Sequence, residues 1–144
     1  MTEPLRIGVA GLGTVGASLV RLLAQNGNAL AHRCGRPVRV VAVSARDKSR
    51  DRGIDLSGIE WFDDPVAMAK SANVECVVEL MGGADGKAKD TVEAALAAGK
   101  SVVTANKALL AKHERTRRTR RNHRCATEFR SGRGRWYPRD QDHA

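Results

Sequence analysis

The sequence predicts an α/β protein built on a doubly wound parallel sheet. Three observations carry this. A glycine-rich turn, GLGTVG from Gly11 to Gly16, stands between a short apolar run and a helix-like segment near the start of the chain. Further along, short β-branched runs alternate with helix-length segments as far as about residue 112. Those runs are apolar almost throughout rather than at every second position, the pattern of strands covered on both faces. Such alternation predicts parallel strands joined by right-handed crossovers.

Each element has its own signal. Leu5 to Ala10 reads as the first strand. Residues 15–26 read as the first helix, with Val15, Leu19, Val20, Leu22 and Leu23 on its apolar face and Gly27 closing it. A polar loop with Asn28, Arg33, Gly35 and Pro37 follows. Val38 to Val43 is nearly continuous in β-branched residues and reads as a strand buried on both faces. Residues 46–58 read as a charged loop, and Ile59 to Phe62 as a short third strand. Asp63-Asp64-Pro65 places an N-cap Asp before a proline at the first helical position, with the helix reaching about Ser71. Val74 to Leu80 reads as the fourth strand and Met81-Gly82-Gly83 as a loop. Residues 86–98 form an alanine-rich helix closed by Gly99, and Ser101 to Thr104 is the fifth strand. Ala105-Asn106-Lys107 then leads into a short helix from Ala108 to Lys112.

The glycine turn carries the chemistry. Gly11 permits a tight turn that a Cβ would obstruct, Gly13 lets backbone approach a pyrophosphate, and Gly16 lets the new helix pack close to the strand. The exposed N–H groups and positive dipole end of that helix favour a bound phosphate. The spacing therefore makes the domain Rossmann-like, with Gly11, Leu12, Gly13, Thr14, Val15 and Gly16 as the dinucleotide turn. The plainer alternative is a purely structural tight turn. In the simplest NAD pattern an acid ends the second strand and binds the ribose hydroxyls. Here that strand runs out into Ser44-Ala45-Arg46-Asp47-Lys48. Arg46 and Lys48 would favour a 2′-phosphate, so NADP is expected ahead of NAD. Asp47 serves NAD if the strand ends later, and a merely solvated charged loop is the bland reading.

Ligands in open α/β sheets bind outside the carboxyl ends of the strands. The glycine turn, Met81-Gly82-Gly83 and Thr104-Ala105-Asn106-Lys107 all fall there. Gly82, Gly83, Asn106 and Lys107 are accordingly expected at the cofactor. A lysine just past a strand can orient a substrate oxygen, contact the nicotinamide end or move a proton; the alternative is a surface lysine at a helix start.

The run GLGTVG, the strand Val40-Val41-Ala42-Val43-Ser44, VVELMGG from Val77 to Gly83 and above all VVTANKALLA from Val102 to Ala111 resemble the nucleotide-binding domain of homoserine dehydrogenase. The resemblance covers about residues 4–113. It implies NAD(P)-dependent interconversion of L-homoserine and L-aspartate 4-semialdehyde, on the route to threonine and methionine. It implies that Lys107 is the site lysine beside the nicotinamide and substrate. It also implies a second domain, a mostly antiparallel sheet that binds homoserine, forms the dimer and carries a second lysine. The family chain also returns after that domain to complete the nucleotide fold; nothing in these 144 residues resembles either part, so the nucleotide-binding fold is expected to be incomplete and the chain inactive alone. Another dehydrogenase sharing this first domain, such as one acting on aspartate, is a further alternative.

Composition bounds the remaining choices. The chain has 144 residues, 42% of them hydrophobic and only 3% aromatic, so its core is aliphatic. Net charge is +9, but residues 114–144 hold ten arginines and four acids, and the basic character belongs mostly to that segment. Cys34, Cys76 and Cys125 form no metal or redox motif, and His123 beside Cys125 has no partner ligands, so no metal site is expected. An odd cysteine count suits a reducing compartment. The first apolar run is too short for a signal peptide and contains Arg6, and no stretch approaches transmembrane length. A cytoplasmic location and no membrane partner are expected.

Residues 1–113 thus read as the nucleotide domain and residues 114–144 as a non-native or disordered tail. The tail lacks Leu, Ile, Val and Met and cannot bury enough apolar surface to order itself. Codons compatible with Thr127 to Ala144, read one nucleotide later, give LNFEAAVAGGIPVIKTM, which resembles the family segment entering the substrate domain. A frameshift between about His113 and Thr127 is the expectation. The alternative is a non-catalytic nucleotide-binding module whose basic tail binds nucleic acid, with Phe129, Trp136 and Tyr137 stacking on bases.

Overall fold

The computed structural model describes residues 3–82, 86–107 and 109. The elements run β1 (Leu5–Ala10), α1 (Thr14–Gln25), α2 (Gly27–Cys34), β2 (Val38–Ser44), β3 (Glu60–Phe62), α3 (Pro65–Lys70), β4 (Cys76–Glu79), α4 (Lys87–Ala97) and β5 (Ser101–Thr104). Five parallel strands lie in the order β3-β2-β1-β4-β5. The chain builds outward from β1 through β2 to β3, then returns to the other side of β1 for β4 and β5. β1 and β4 therefore flank the point where winding reverses, where this fold class opens a crevice.

The continuous apolar runs follow from burial on two faces. On one, Met68, Ala69, Val74, Val77, Val92, Ala95 and Val102 pack with Leu109. On the other, Ile7, Val9, Leu12, Val20, Val43, Cys76 and Val78 pack beneath α1. Neighbouring residues of β4 thus serve opposite cores: Val77 faces the first, Cys76 and Val78 the second. Cys76 is a buried apolar residue, as its strand-like context predicts, whereas Cys34 is exposed. The β1–β2 register shifts between Ile7 and Gly8, passing from Val40 directly to Ala42. Val41 is the extra residue, and this bulge lets both Val41 and Ala42 meet the first core.

Local signals set most boundaries. The Asp64 carboxylate accepts from the Val66 N–H at 3.1 Å with Pro65 at the first helical position, so α3 starts where the Asp-Pro pair predicts. Three expectations need correction. Gly27 does not end helical structure: the chain bends at Asn26, and α2 occupies what reads as a polar loop. Gly35, left-handed at φ 74°, ends α2 instead. No residue of α2 is buried, which is why its sequence lacks an apolar stripe. β4 begins two residues later than Val74 and stops at Glu79. β2 is buried only toward its C-terminal end, with Arg39 exposed. The predicted helix from Ala108 to Lys112 and the tail from residue 114 lie outside the described residues, Leu109 excepted. No helix among the described residues is long and apolar enough to cross a membrane.

Candidate functional site

The site begins where β1 ends. Gly11 has φ +98°, a conformation L side chains rarely adopt, and its N–H donates to the Ser44 carbonyl of β2 at 2.9 Å. A Cβ on Gly11 would stand 3.0 Å from the backbone of Leu80 and Met81, at the exit of β4. A Cβ on Gly16 would stand 1.9 Å from the Gly11 carbonyl oxygen. Gly16 therefore allows the first turn of α1 to lie directly against the end of β1. A Cβ on Gly13 would meet no described atom within 4 Å.

The start of α1 is chemically open. Gly13 is the N-cap, extended at φ −72° and ψ −161°, and supplies no side-chain cap; the first turn contains no acid. The first intrahelical bond runs from the Ala17 N–H to the Gly13 carbonyl at 2.9 Å. The N–H groups ahead of it have no intrahelical acceptor and lie at the positive end of the helix dipole. An open flank at Gly13 beside uncapped amides fits a pyrophosphate, so these residues suit a dinucleotide.

Three segments far apart in sequence then close a cleft of about 340 Å³. Val15 contributes from α1, Leu80, Met81 and Gly82 from the exit of β4, and Ala105, Asn106 and Lys107 from the exit of β5. All three expected segments meet here. Lys107 is exposed and lines the cleft, and Val15 is 63% exposed. Gly83 lies outside the described residues. Among the described residues no group of three or more His, Cys, Asp or Glu side chains gathers around a metal position.

At the end of β2, Arg46 and Lys48 are both exposed. Asp47 is committed locally: its Oδ1 accepts from the Ser49 hydroxyl at 2.6 Å and the Ser49 N–H at 2.9 Å. Those bonds hold its carboxyl below the usual range. Arg52, which sequence reading passes over, organises this loop. Its Nε donates to the Leu12 carbonyl at 3.1 Å, and its Nη atoms donate to the carbonyls of Arg50 and Asp47. Its guanidinium also lies over Trp61, 5.6 Å from the ring centroid. The loop after β2 is thereby tied to the glycine turn. Nothing separates Arg52 from its cationic neighbours in sequence.

The second unanticipated feature is Glu79, the last residue of β4, which is fully buried. Its Oε2 accepts from the Thr104 hydroxyl at 2.5 Å, while Oε1 has no hydrogen-bond partner among the described residues. Burial pushes its carboxyl above the usual value, against the opposing pull of the Thr104 hydroxyl and the Met81 N–H. The Thr104 hydroxyl accepts in turn from the Asn106 N–H at 3.0 Å, and Asn106 Oδ1 accepts from the Leu109 N–H at 3.0 Å. The available signal was a lone carboxylate in the apolar run VVEL.

Sheet order, the glycine turn at the reversal point and the uncapped helix start define a Rossmann-type dinucleotide-binding domain. Residues 11–130 match the family described as homoserine dehydrogenase, NAD binding domain, and the chain belongs to that family. Its nucleotide is accordingly NAD or NADP. The homoserine dehydrogenase of Corynebacterium glutamicum is 43% identical over 107 residues, which are 74% of this chain and 24% of that protein. That of Methylobacillus glycogenes is 38% identical over 109 residues, 76% of this chain and 26% of that protein. Among solved structures, Staphylococcus aureus homoserine dehydrogenase at pH 8.5 superposes with a TM-score of 0.79 at 28% identity, covering 90% of this chain and 32% of that one. The Thiobacillus denitrificans enzyme gives 0.78 at 32% identity, over 87% and 29%. The chain thus spans about a quarter of the length of the curated relatives it matches.

Proposed function

We propose that this chain is the nucleotide-binding portion of an enzyme that interconverts L-homoserine and L-aspartate 4-semialdehyde, with NADP favoured over NAD. The observation that carries the reading is the cleft where Val15, Met81-Gly82 and Asn106-Lys107 converge beside the open start of α1. The nicotinamide supplies the hydride acceptor or donor when bound. The amides of Gly13 to Gly16 hold the pyrophosphate. Arg46 and Lys48 meet the 2′-phosphate as exposed cations on a loop that Arg52 keeps against the turn. Lys107, on the cleft rim, lies against the nicotinamide end of the cofactor and beside the reacting carbinol oxygen, where it stabilises the charge that develops.

The homoserine-binding groups belong to a second, dimer-forming domain of the full-length enzyme, which works in the cytoplasm on the route to threonine and methionine. These 144 residues alone bind cofactor without turnover. The tail is an out-of-frame translation from a frameshift between about His113 and Thr127 onward.

Titrating the purified chain with NADPH and NADH, read by nicotinamide fluorescence, and assaying homoserine-dependent NADP reduction tests this. Binding tighter for NADPH and no reduction are expected. Soluble, folded protein that ignores both nucleotides at millimolar concentration would refute the reading, and turnover would refute the need for a second domain.

A further inference from the structure

The strongest unexplained group is the Glu79 carboxylate. A fully buried carboxylate costs stability unless its oxygens are satisfied, and only one of these has a partner among the described residues. An apolar residue would fill β4 more cheaply, so the group's contacts are where its use must lie. We propose that Glu79 is a positioning residue for Lys107, acting through the Thr104 hydroxyl and the Asn106 backbone.

Glu79 accepts, so the Thr104 hydroxyl proton points to it. The hydroxyl oxygen is then free to accept from the Asn106 N–H, which it does. Asn106, fixed at its backbone, uses its side chain to cap the turn that contains Lys107 by accepting from the Leu109 N–H. Without the carboxylate the hydroxyl can rotate, and its proton then opposes the Asn106 N–H. The backbone adds a second tie, since the Ala105 N–H donates to the Glu79 carbonyl at 3.3 Å. Buried Glu79 thus underlies the run of residues that carries exposed Lys107 into the lining of the cleft.

The inference rests on Lys107 contacting the cofactor, and the test separates the two. NADPH dissociation constants are measured for the whole chain and for Thr104→Val, Thr104→Ser, Glu79→Gln, Glu79→Leu, Lys107→Ala and Thr104→Val combined with Lys107→Ala. Circular dichroism establishes that each is folded. Thr104→Val and Glu79→Leu are expected to weaken binding about five- to tenfold, the size of one lost positioning hydrogen bond. Thr104→Ser keeps the hydroxyl and Glu79→Gln keeps an acceptor oxygen, so both stay within about twofold. In the Lys107→Ala background, Thr104→Val adds no further loss.

Should Lys107→Ala weaken binding while Thr104→Val binds as the parent, the positioning role is wrong and the Lys107 reading stands. It is equally wrong if Thr104→Val costs as much with Lys107 absent as with it present. If Lys107→Ala changes nothing, the Lys107 reading fails and the positioning claim falls with it. The Val/Ser pair at Thr104 carries the decision should Glu79→Leu not fold.

Discussion

The Gly11 carbonyl oxygen lies so close to Gly16 that a Cβ there would sit 1.9 Å away. This contact makes the turn between β1 and α1 a single steric unit, and it separates the roles of the three glycines. A Cβ on Gly16 collides with the fold, whereas one on Gly13 meets no described atom.

That separation is measurable. Gly16→Ala must push the helix start away from β1 and is expected to cost about 1–3 kcal/mol, or more if the turn cannot shift. Gly13→Ala meets no described atom, so its stability cost stays near 1 kcal/mol, that of a poorer N-cap. Both should weaken NADPH binding at least about tenfold, Gly13→Ala by blocking approach of the pyrophosphate. Thermal unfolding and fluorescence titration of the pair check this. Equal destabilisation by the two substitutions would contradict the assignment.

Cofactor preference should reside in the loop after β2. Replacing Arg46 and Lys48 together by Ser is expected to weaken NADPH about tenfold and leave NADH within about twofold, because only the 2′-phosphate meets these cations. The NADPH advantage should also shrink as salt rises, since both side chains are exposed. Parallel losses for both nucleotides would place the cations elsewhere than at the 2′-phosphate.

Two glutamates give opposite pH dependences. The Glu75 carboxyl lies below its ordinary value because it accepts from the Arg6 N–H, with help from the Arg6 and Arg36 guanidiniums. Its folded-state value being depressed, its contribution is present above the unfolded value near 4.5 and is lost as pH falls through the lower folded value. Glu79 lies above its ordinary value through burial, so the folded protein loses stability as pH rises from 4.5 toward the folded value. Glu79→Gln should therefore gain on the parent as pH increases over that range, and Glu75→Gln should lose the acid limb. Chemical unfolding at a series of pH values checks both signs.

The tail should be dispensable. A chain ending at His113 is expected to bind NADPH as the 144-residue chain does. The coding DNA should show one nucleotide gained, or two lost, between the codons for His113 and Thr127. An uninterrupted reading frame would overturn the frameshift. Salt-sensitive binding of nucleic acid that disappears on truncation would favour a true basic extension.

Much of the site was legible because its signals are local. The glycine turn needs six adjacent residues, and the Asp-Pro pair that starts α3 needs two. α2 was not legible, since an exposed helix carries no apolar stripe to read, and its closing signal at Gly35 lay beyond a glycine that looked like a stop. Arg52 was hidden behind three other cations, Arg46, Lys48 and Arg50, and its partner, the Leu12 carbonyl, is forty residues away.

By itself the sequence determined the five strands in chain order, every helix between them but α2, the dinucleotide turn and the likeness to the homoserine dehydrogenase nucleotide domain, all written in short-range spacing. Only tertiary structure decided which residues at the strand ends line the cleft, with Leu80 and Val15 among them, and that Glu79 meets Thr104, twenty-five positions on. The physical reason is register: β4 pairs with β5 so that Glu79 lies opposite Thr104. Which side chains oppose one another across a sheet depends on strand order and stagger, and no local spacing encodes either.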